Sequence, residues 1–224
     1  MKLVILTGAG ISAESGISTF RDANGLWENH DIMEVASIDG YLKNPELVQN
    51  FYNQRRKQLF DVKPNAAHYF LKELENEFDV TIITQNVDDL HERAGSTKII
   101  HLHGELRKAK SDKDENLVYD WNYDIKVGDL ASDGNQLRPA IVWFGEMVPM
   151  MDNAIDEVLQ ANILIVIGTS LQVYPAASLL DYTLSKTKII CVDPNDLPIN
   201  NKIIHIKKNA TEGIEDLKNY LNNL

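Results

Sequence analysis

Apolar residues in this chain come in short unbroken runs rather than in alternation. They occupy positions 3–7, 80–84, 98–102, 140–143, 162–167, 188–192 and 203–206. A strand with no polar alternation is one buried on both faces, as in a parallel sheet covered by helices. Helical patterns lie between the runs. Asn44 and Pro45 form a cap and a first-turn proline, predicting a helix to about Phe60. Another helix starts at Pro64-Asn65, with Ala67, Phe70, Leu71 and Leu74 on one face. Shorter helices are predicted over 88–93, ended by Ala94-Gly95, over 152–160, and from Tyr174-Pro175 to about Leu184. A last one is capped by Thr211, with Glu215 and Asp216 near its start. Strands alternating with helices predict an α/β fold: a Rossmann-like parallel sheet with helices on both faces.

Two stretches do not fit that alternation. The second strand begins only near Asp79, so the helices of 31–75 are inserted after the first strand and its turn. Residues 105–139 are polar, rich in Asp, Lys and Asn, and least regular. Within them Tyr119, Trp121 and Tyr123 alternate, which predicts one short strand whose rings could staple a loop. The expected organisation is therefore a main domain of 1–30, 76–104 and 139–224, with a small inserted lobe of 31–75 and 105–138.

Composition narrows the classes. The 224 residues suffice for one large domain or a domain with a lobe, and 44% hydrophobic and 25% charged residues are ordinary for a globular chain. A formal net charge of −11, with no basic run longer than Arg55-Arg56-Lys57, argues against nucleic acid as a partner but does not exclude basic, lysine-bearing peptides, which an acidic surface attracts. No apolar stretch approaches the length of a membrane span. The first strand follows Met1-Lys2 directly, leaving no room for a signal peptide, so a cytoplasmic monomer is expected. The single cysteine, Cys191, lies in a strand-like run and reads as an inert hydrophobe.

Candidate chemistry gathers at strand ends. Gly8-x-Gly10-x-x-Ala13 joins the first strand to a helix predicted over 11–15, with Gly16 just beyond. Strand, glycine turn and helix N-terminus together hold a pyrophosphate, although an ordinary strand-to-helix turn has the same spacing. Asn86 and Asp88 follow the second strand, where they suit either a helix cap or a ligand. His101 and His103 are two apart in a strand and share one face.

The sequence around these residues is more specific than the turn. Gly8-Ala9-Gly10-Ile11-Ser12, Ser15-Gly16-Ile17, Phe20-Arg21 and Gly25-Leu26-Trp27 resemble the opening signature of the sirtuins, NAD-dependent protein-lysine deacylases. Thr84-Gln85-Asn86-Val87-Asp88, His101-Leu102-His103-Gly104, Val142-Trp143-Phe144-Gly145-Glu146 and Gly168-Thr169-Ser170 match in order. The resemblance implies transfer of an acyl group from lysine to NAD, giving free lysine, nicotinamide and 2′-O-acyl-ADP-ribose. It implies His103 as the base, a role suited to imidazole near neutral pH. Asn86 and Asp88 would hold nicotinamide and ribose, and His101 is read as structural.

By the same resemblance, Gly8, Ala9, Gly10, Ser12, Glu14, Ser15, Trp27 and Gln85 belong to the NAD site. Phe20 would shield the reacting carbon and Arg21 would lie near the phosphates. Gly168, Thr169 and Ser170 resemble phosphate and ribose contacts. Asp193 and Asn195 stand where many sirtuins hold the adenosine ribose, in a different side-chain order, with Ala210 near adenine. Val142, Phe144 and Gly145 would line the acyl-lysine channel and pair with substrate backbone. The family's zinc module carries four cysteines that this chain lacks, so no zinc is expected. Tyr52-x-x-Arg55 lie on one helix face and resemble the acid-recognising pair of desuccinylase-type sirtuins, implying succinyl or malonyl as well as acetyl substrates. The alternative is that Arg55-Arg56-Lys57 is a solvated charge run. NAD hydrolysis, ADP-ribosyl transfer to a protein, and a non-catalytic NAD sensor are the competing functions.

Overall fold

The computed structural model describes residues 1–18, 26–27, 30–197 and 203–223. The chain opens with β1 (Lys2–Thr7) and α1 (Ala9–Ala13), then β2 (Leu26–Trp27) and β3 (His30–Asp31). Helices α2 (Ile32–Val35), α3 (Ile38–Lys43), α4 (Pro45–Asp61) and α5 (Ala66–Glu73) follow. Next come β4 (Asp79–Thr84), α6 (Leu90–Ala94), β5 (Ile99–His101), β6 (Gly104–Ser111), β7 (Val118–Asp120) and β8 (Leu137–Ile141). The chain closes with α7 (Met151–Leu159), β9 (Ile163–Ile167), β10 (Lys188–Val192), β11 (Ile204–Ile206) and α8 (Ile214–Asn222).

Six largely apolar strands form one parallel sheet in the order β11-β10-β9-β1-β4-β5. Alternate residues of β1 feed opposite cores. Leu3 and Ile5 pack with α5 and α8, while Val4 and Leu6 pack with α7 and the 3-10 turn Ala176–Tyr182. Strand order reverses between β1 and β9, and open α/β sheets bind ligands in the crevice at such a switch point.

Helix α4 begins as its sequence dictates: Asn44 accepts from Leu47 N, with Pro45 in the first turn. Gly95 ends α6 in the left-handed conformation. Helix α5 likewise has Asn65 at its cap, but Ala67, Phe70, Leu71 and Leu74 join the core under the large sheet. That packing takes α5 out of the lobe expected over 31–75. Two further helix ends differ from expectation. The segment after Pro175 is a 3-10 turn, not an α-helix. Thr211 does not cap α8, which starts beyond Gly213; its N–H and hydroxyl instead donate to Glu14, at 2.9 and 2.5 Å.

The polar stretch 105–139 is not the irregular loop that its composition predicts. Strands β7-β6-β8 form an antiparallel sheet, with a register irregularity between Glu105 and Ala109. The lobe therefore contains a sheet as well as helices, and its β8 extends past the expected boundary at 138. Its core is small: Ala109, Ile125, Ala131 and Leu137, flanked by Tyr119 and Trp121. Of the three aromatics only Tyr119 lies in β7; Tyr119 and Trp121 pack against the small core, while Tyr123 is exposed. Buried polar side chains of α4 complete the closure. Asn53 Nδ2 donates to Ile125 O and Asn53 Oδ1 accepts from Ile125 N, both at 2.8 Å. Gln49 donates to Leu137 O at 2.7 Å. Arg56 donates to Leu106 O at 2.8 Å and to Tyr123 O at 3.2 Å.

Candidate active site

At the switch point two chain turns touch backbone to backbone. Gly8 N donates to Ile167 O at 3.0 Å and Gly10 N to Gly168 O at 2.8 Å. Gly168 has φ +64, and a Cβ there would lie 2.3 Å from Ile11 N. A Cβ on Gly10 would lie 2.7 Å from Gly168 Cα, so both positions demand glycine. The crossing opens onto a cavity of about 710 Å³, within the usual range of roughly 300–1,000 Å³ for ligand sites.

This cavity is lined by Gly8, Ala9, Gly10, Gly168, Thr169 and Ser170 around the crossing, and also by Asp193, Asn195 and Ala210. Gln85 Nε2 donates to Thr169 Oγ1 at 3.1 Å, joining the ends of β4 and β9. Asp193 Oδ1 accepts from Asn195 N at 2.9 Å and from Asn195 Nδ2 at 3.1 Å, so these two side chains shape one turn. Glu14 lines the cavity while its carboxylate is held by Thr211. Ser15 does not line it; its hydroxyl accepts from Asn65 Nδ2 at 3.0 Å, toward α5. Phe20 and Arg21 lie outside the described residues.

The cavity also holds a buried polar cluster. Ser12 Oγ donates to Asp88 Oδ2 at 2.9 Å and accepts from Asn86 Nδ2 at 3.1 Å. Asn86 Nδ2 also donates to Gly8 O at 3.2 Å. Asp88 Oδ1 accepts from Leu90 N at 3.1 Å, so Asp88 both caps α6 and faces the cavity. Burial raises its carboxyl pKa to about 6. Next to the cluster, the rings of His68 and His91 meet at a tilt with centres 5.0 Å apart, and burial holds both well below the usual imidazole range.

His103 Nδ1 lies 2.9 Å from Gln85 O. A carbonyl only accepts, so Nδ1 carries the proton and Nε2 carries the lone pair. Burial lowers the pKa of His103, leaving the ring neutral and able to take a proton at Nε2. Val142 N donates to His103 O at 2.9 Å, which ties His103 to the end of β8.

The same cavity is also lined by Trp27, Tyr52, Arg55, Val142, Phe144 and Gly145. Among the described residues lining the cavity, Arg55 is the one arginine or lysine. Its guanidinium donates to Gln58 Oε1 at 2.7 Å and lies 5.3 Å from the Trp27 ring centre. Arg55 and Arg56 are both buried, and only Lys57 is exposed, paired with Asp124 at 2.9 Å. The solvated-charge-run reading of these three residues therefore fails. Phe144 N donates to Ala36 O and Phe144 O accepts from Ile38 N, at 2.8 and 3.1 Å, so that backbone is already paired within the chain.

Sequence reading gave no role to Trp143 or Glu146, which stand inside a quoted motif, and did not name Arg138. Trp143 lines the cavity, and its N–H donates to Glu146 Oε2 at 2.8 Å. Arg138 grips Glu146 with both nitrogens, at 2.5 and 2.9 Å, and lies 3.5 Å from the Trp143 ring centre. Arg138 carried no local signal.

Comparison with known proteins agrees with this arrangement. A family model described as the Sir2 family matches residues 8–175. A protein of Helicobacter pylori named NAD-dependent protein deacylase is 61% identical over 96% of this chain and 95% of its own. One of the same name from Bacteroides thetaiotaomicron is 54% identical over 98% and 97%. Among solved structures, a Sir2 homolog–NAD complex is 40% identical with a TM-score of 0.88, covering 99% of this chain and 90% of the other. The chain belongs to the Sir2 family.

Proposed function

We propose that this chain is an NAD-dependent protein-lysine deacylase that accepts succinyl- and malonyl-lysine as well as acetyl-lysine. The products are free lysine, nicotinamide and 2′-O-acyl-ADP-ribose. The observation that carries this reading is the convergence, in one cavity, of the glycine crossing, the base His103, and the Tyr52–Arg55 pair. The residues fit NAD: glycines without room for a Cβ let a diphosphate approach the backbone, and the amides of Asn86 and Gln85 with the hydroxyls of Thr169 and Ser170 match its polar groups. When bound, NAD supplies the ADP-ribosyl group that accepts the acyl chain.

The protein's own part is orientation and proton handling. Asn86 and Asp88 are held by Ser12 and Gly8 before any ligand arrives. His103 takes a proton at Nε2 while Gln85 O keeps its ring in register. Arg55, with Tyr52 buried beside it, offers a charge-assisted contact to a carboxylate at the tip of a succinyl or malonyl chain. Trp143, clamped by Arg138 and Glu146, lines the same cavity.

The test is incubation with NAD and peptides carrying succinyl-, malonyl- or acetyl-lysine, with products read by mass. Acyl-ADP-ribose from all three peptides is expected. ADP-ribose without deacylated peptide would make this an NAD hydrolase. ADP-ribose attached to the peptide would make it a transferase. Turnover of acetyl-lysine alone would overturn the acid-acyl assignment.

A further inference from the structure

The two histidines of His101-Leu102-His103 make the same grip with opposite consequences. His103 donates from Nδ1 to Gln85 O, and no described residue partners Nε2. His101 Nδ1 faces the next carbonyl, Asn86 O, at 3.3 Å, but its Nε2 lies 2.7 Å from Glu92 Oε1. A carbonyl and a carboxylate both accept, and a neutral imidazole has one N–H. Both contacts are made together only by a ring that carries two protons.

We propose that His101 is a positioning residue of the deacylase, an imidazolium clamped between Glu92 and the Asn86 carbonyl that holds the Asn86-Val87-Asp88 turn in its NAD-receiving shape. This rests on the reading of that turn as an NAD contact. His101 sits on β5, Glu92 on α6 and Asn86 just past β4, so the clamp ties three elements. With it, Asn86 is held by its carbonyl, by its N–H on Thr84 Oγ1 at 3.1 Å, and by its side chain on Gly8 and Ser12.

The surrounding charges favour the cation. Burial opposes it, but the Glu92 hydrogen bond and charge, with the Glu105 charge behind them, raise the His101 pKa above the ordinary 6.5. Glu105 Oε1 is 4.0 Å from Nε2, and its other oxygen is held by Lys108 at 2.5 Å. Asp88 is drawn toward ionisation by the His101 charge, and buried His91 is pushed further toward neutrality by it.

The sign follows from the proton count. Below the raised pKa both grips hold. Above it one N–H remains, and the carboxylate is the stronger acceptor. The Nδ1 lone pair then faces the Asn86 carbonyl, and the turn is released. Replacing Glu92 by glutamine reverses this. The amide can donate to Nε2, so the single ring proton stays on Nδ1 and the Asn86 grip survives deprotonation.

The experiment combines NAD affinity by calorimetry with the His101 ring resonances by NMR, from about pH 6 to about pH 9. In the wild-type protein the His101 ring should titrate above about 6.5, and NAD affinity should fall about tenfold once it does. Glu92→Gln, at a partly exposed position, should lower the titration point and abolish the alkaline loss of affinity. His101→Leu should bind NAD about tenfold more weakly at every pH tested. A wild-type ring titrating below 6.5, parallel affinity curves for wild type and Glu92→Gln, or unaltered affinity in His101→Leu would each overturn the inference. Failure of the wild type to bind NAD at all would sink the functional reading instead, while the ring titration would still decide the charge of His101.

Discussion

Adjacent arginines on α4 should fail in different ways when each is replaced by methionine. Arg56 is 1% exposed and reaches Leu106 O of β6, Tyr123 O in the loop beyond β7, and Asn53 Oδ1 on its own helix. Methionine fills similar space and leaves those acceptors without their donor. Hydrogen bonds to charged groups contribute about 1.5–3 kcal/mol each. Part of that sum is offset, because burial already strains the guanidinium and pulls its pKa down to about 10. A net loss of about 2–4 kcal/mol follows, which for a chain of this size lowers melting by roughly 5–15 °C. Arg55 donates to Gln58 and rests on the Trp27 and Phe51 rings, and methionine keeps the ring contacts in part. Its loss should lower melting by only a few degrees, but should cut desuccinylation by about tenfold or more through the missing carboxylate contact. Acetyl-lysine turnover should change by no more than about twofold, since acetyl has no charge to recognise. Calorimetric melting and kcat/KM on paired succinyl and acetyl peptides make the comparison. Equal melting losses in the two variants, or an equal fall in both activities for Arg55→Met, would refute the reasoning.

His103→Ala should leave NAD affinity within a few-fold and cut turnover by about 10²–10⁴, as separate binding and rate measurements would show. Because burial lowers the His103 pKa, activity should hold from neutral pH down past 6.5 and fall only below that, where Nε2 becomes protonated; an acid limb above 6.5 would contradict the neutral ring. His68 has an unfolded value near 6.5 and a folded value of about 4, so its share of stability, about 3 kcal/mol, is present above 6.5 and is lost as pH falls toward 4. Asp88, raised to about 6, acts in the opposite sense and partly offsets the loss; denaturant titrations of wild type and His68→Asn across that window should show the shallower decline in the variant. Zinc analysis should find well under one equivalent, and a chelator should leave melting unchanged, since the lobe is closed by Asn53, Gln49 and Arg56 contacts rather than by cysteines.

What the sequence determined by itself is what local chemistry controls. A strand buried on both faces is apolar throughout, so the four central strands of the large sheet were legible as runs, and the half-buried edge strands β5 and β11, each carrying a histidine, were legible as shorter ones. The Asn44-Pro45 start, the Asn65 cap and the Gly95 stop act within a few residues of themselves, and they were legible too. The site was legible where function demands particular residue types in short strings, as in the glycine turn, Gln85-Asn86-Val87-Asp88 and His101-Leu102-His103-Gly104. Tertiary structure decided the rest, because the partners are distant in sequence. Strand β6 reads as Gly-Glu-Leu-Arg-Lys-Ala-Lys-Ser, polar enough for a loop, and is a strand only through its pairing with β7 and β8. Gln49, Asn53 and Arg56 look like the wet face of α4, yet they are buried because the carbonyls they satisfy arrive from residues 106–137. Thr211 has the residue type of a cap and instead meets Glu14 from the other end of the chain. The charge of His101 is the clearest case: no property of a histidine in a strand says that Asn86 O and Glu92 will stand on its two nitrogens, and that placement alone separates it from His103 two residues away.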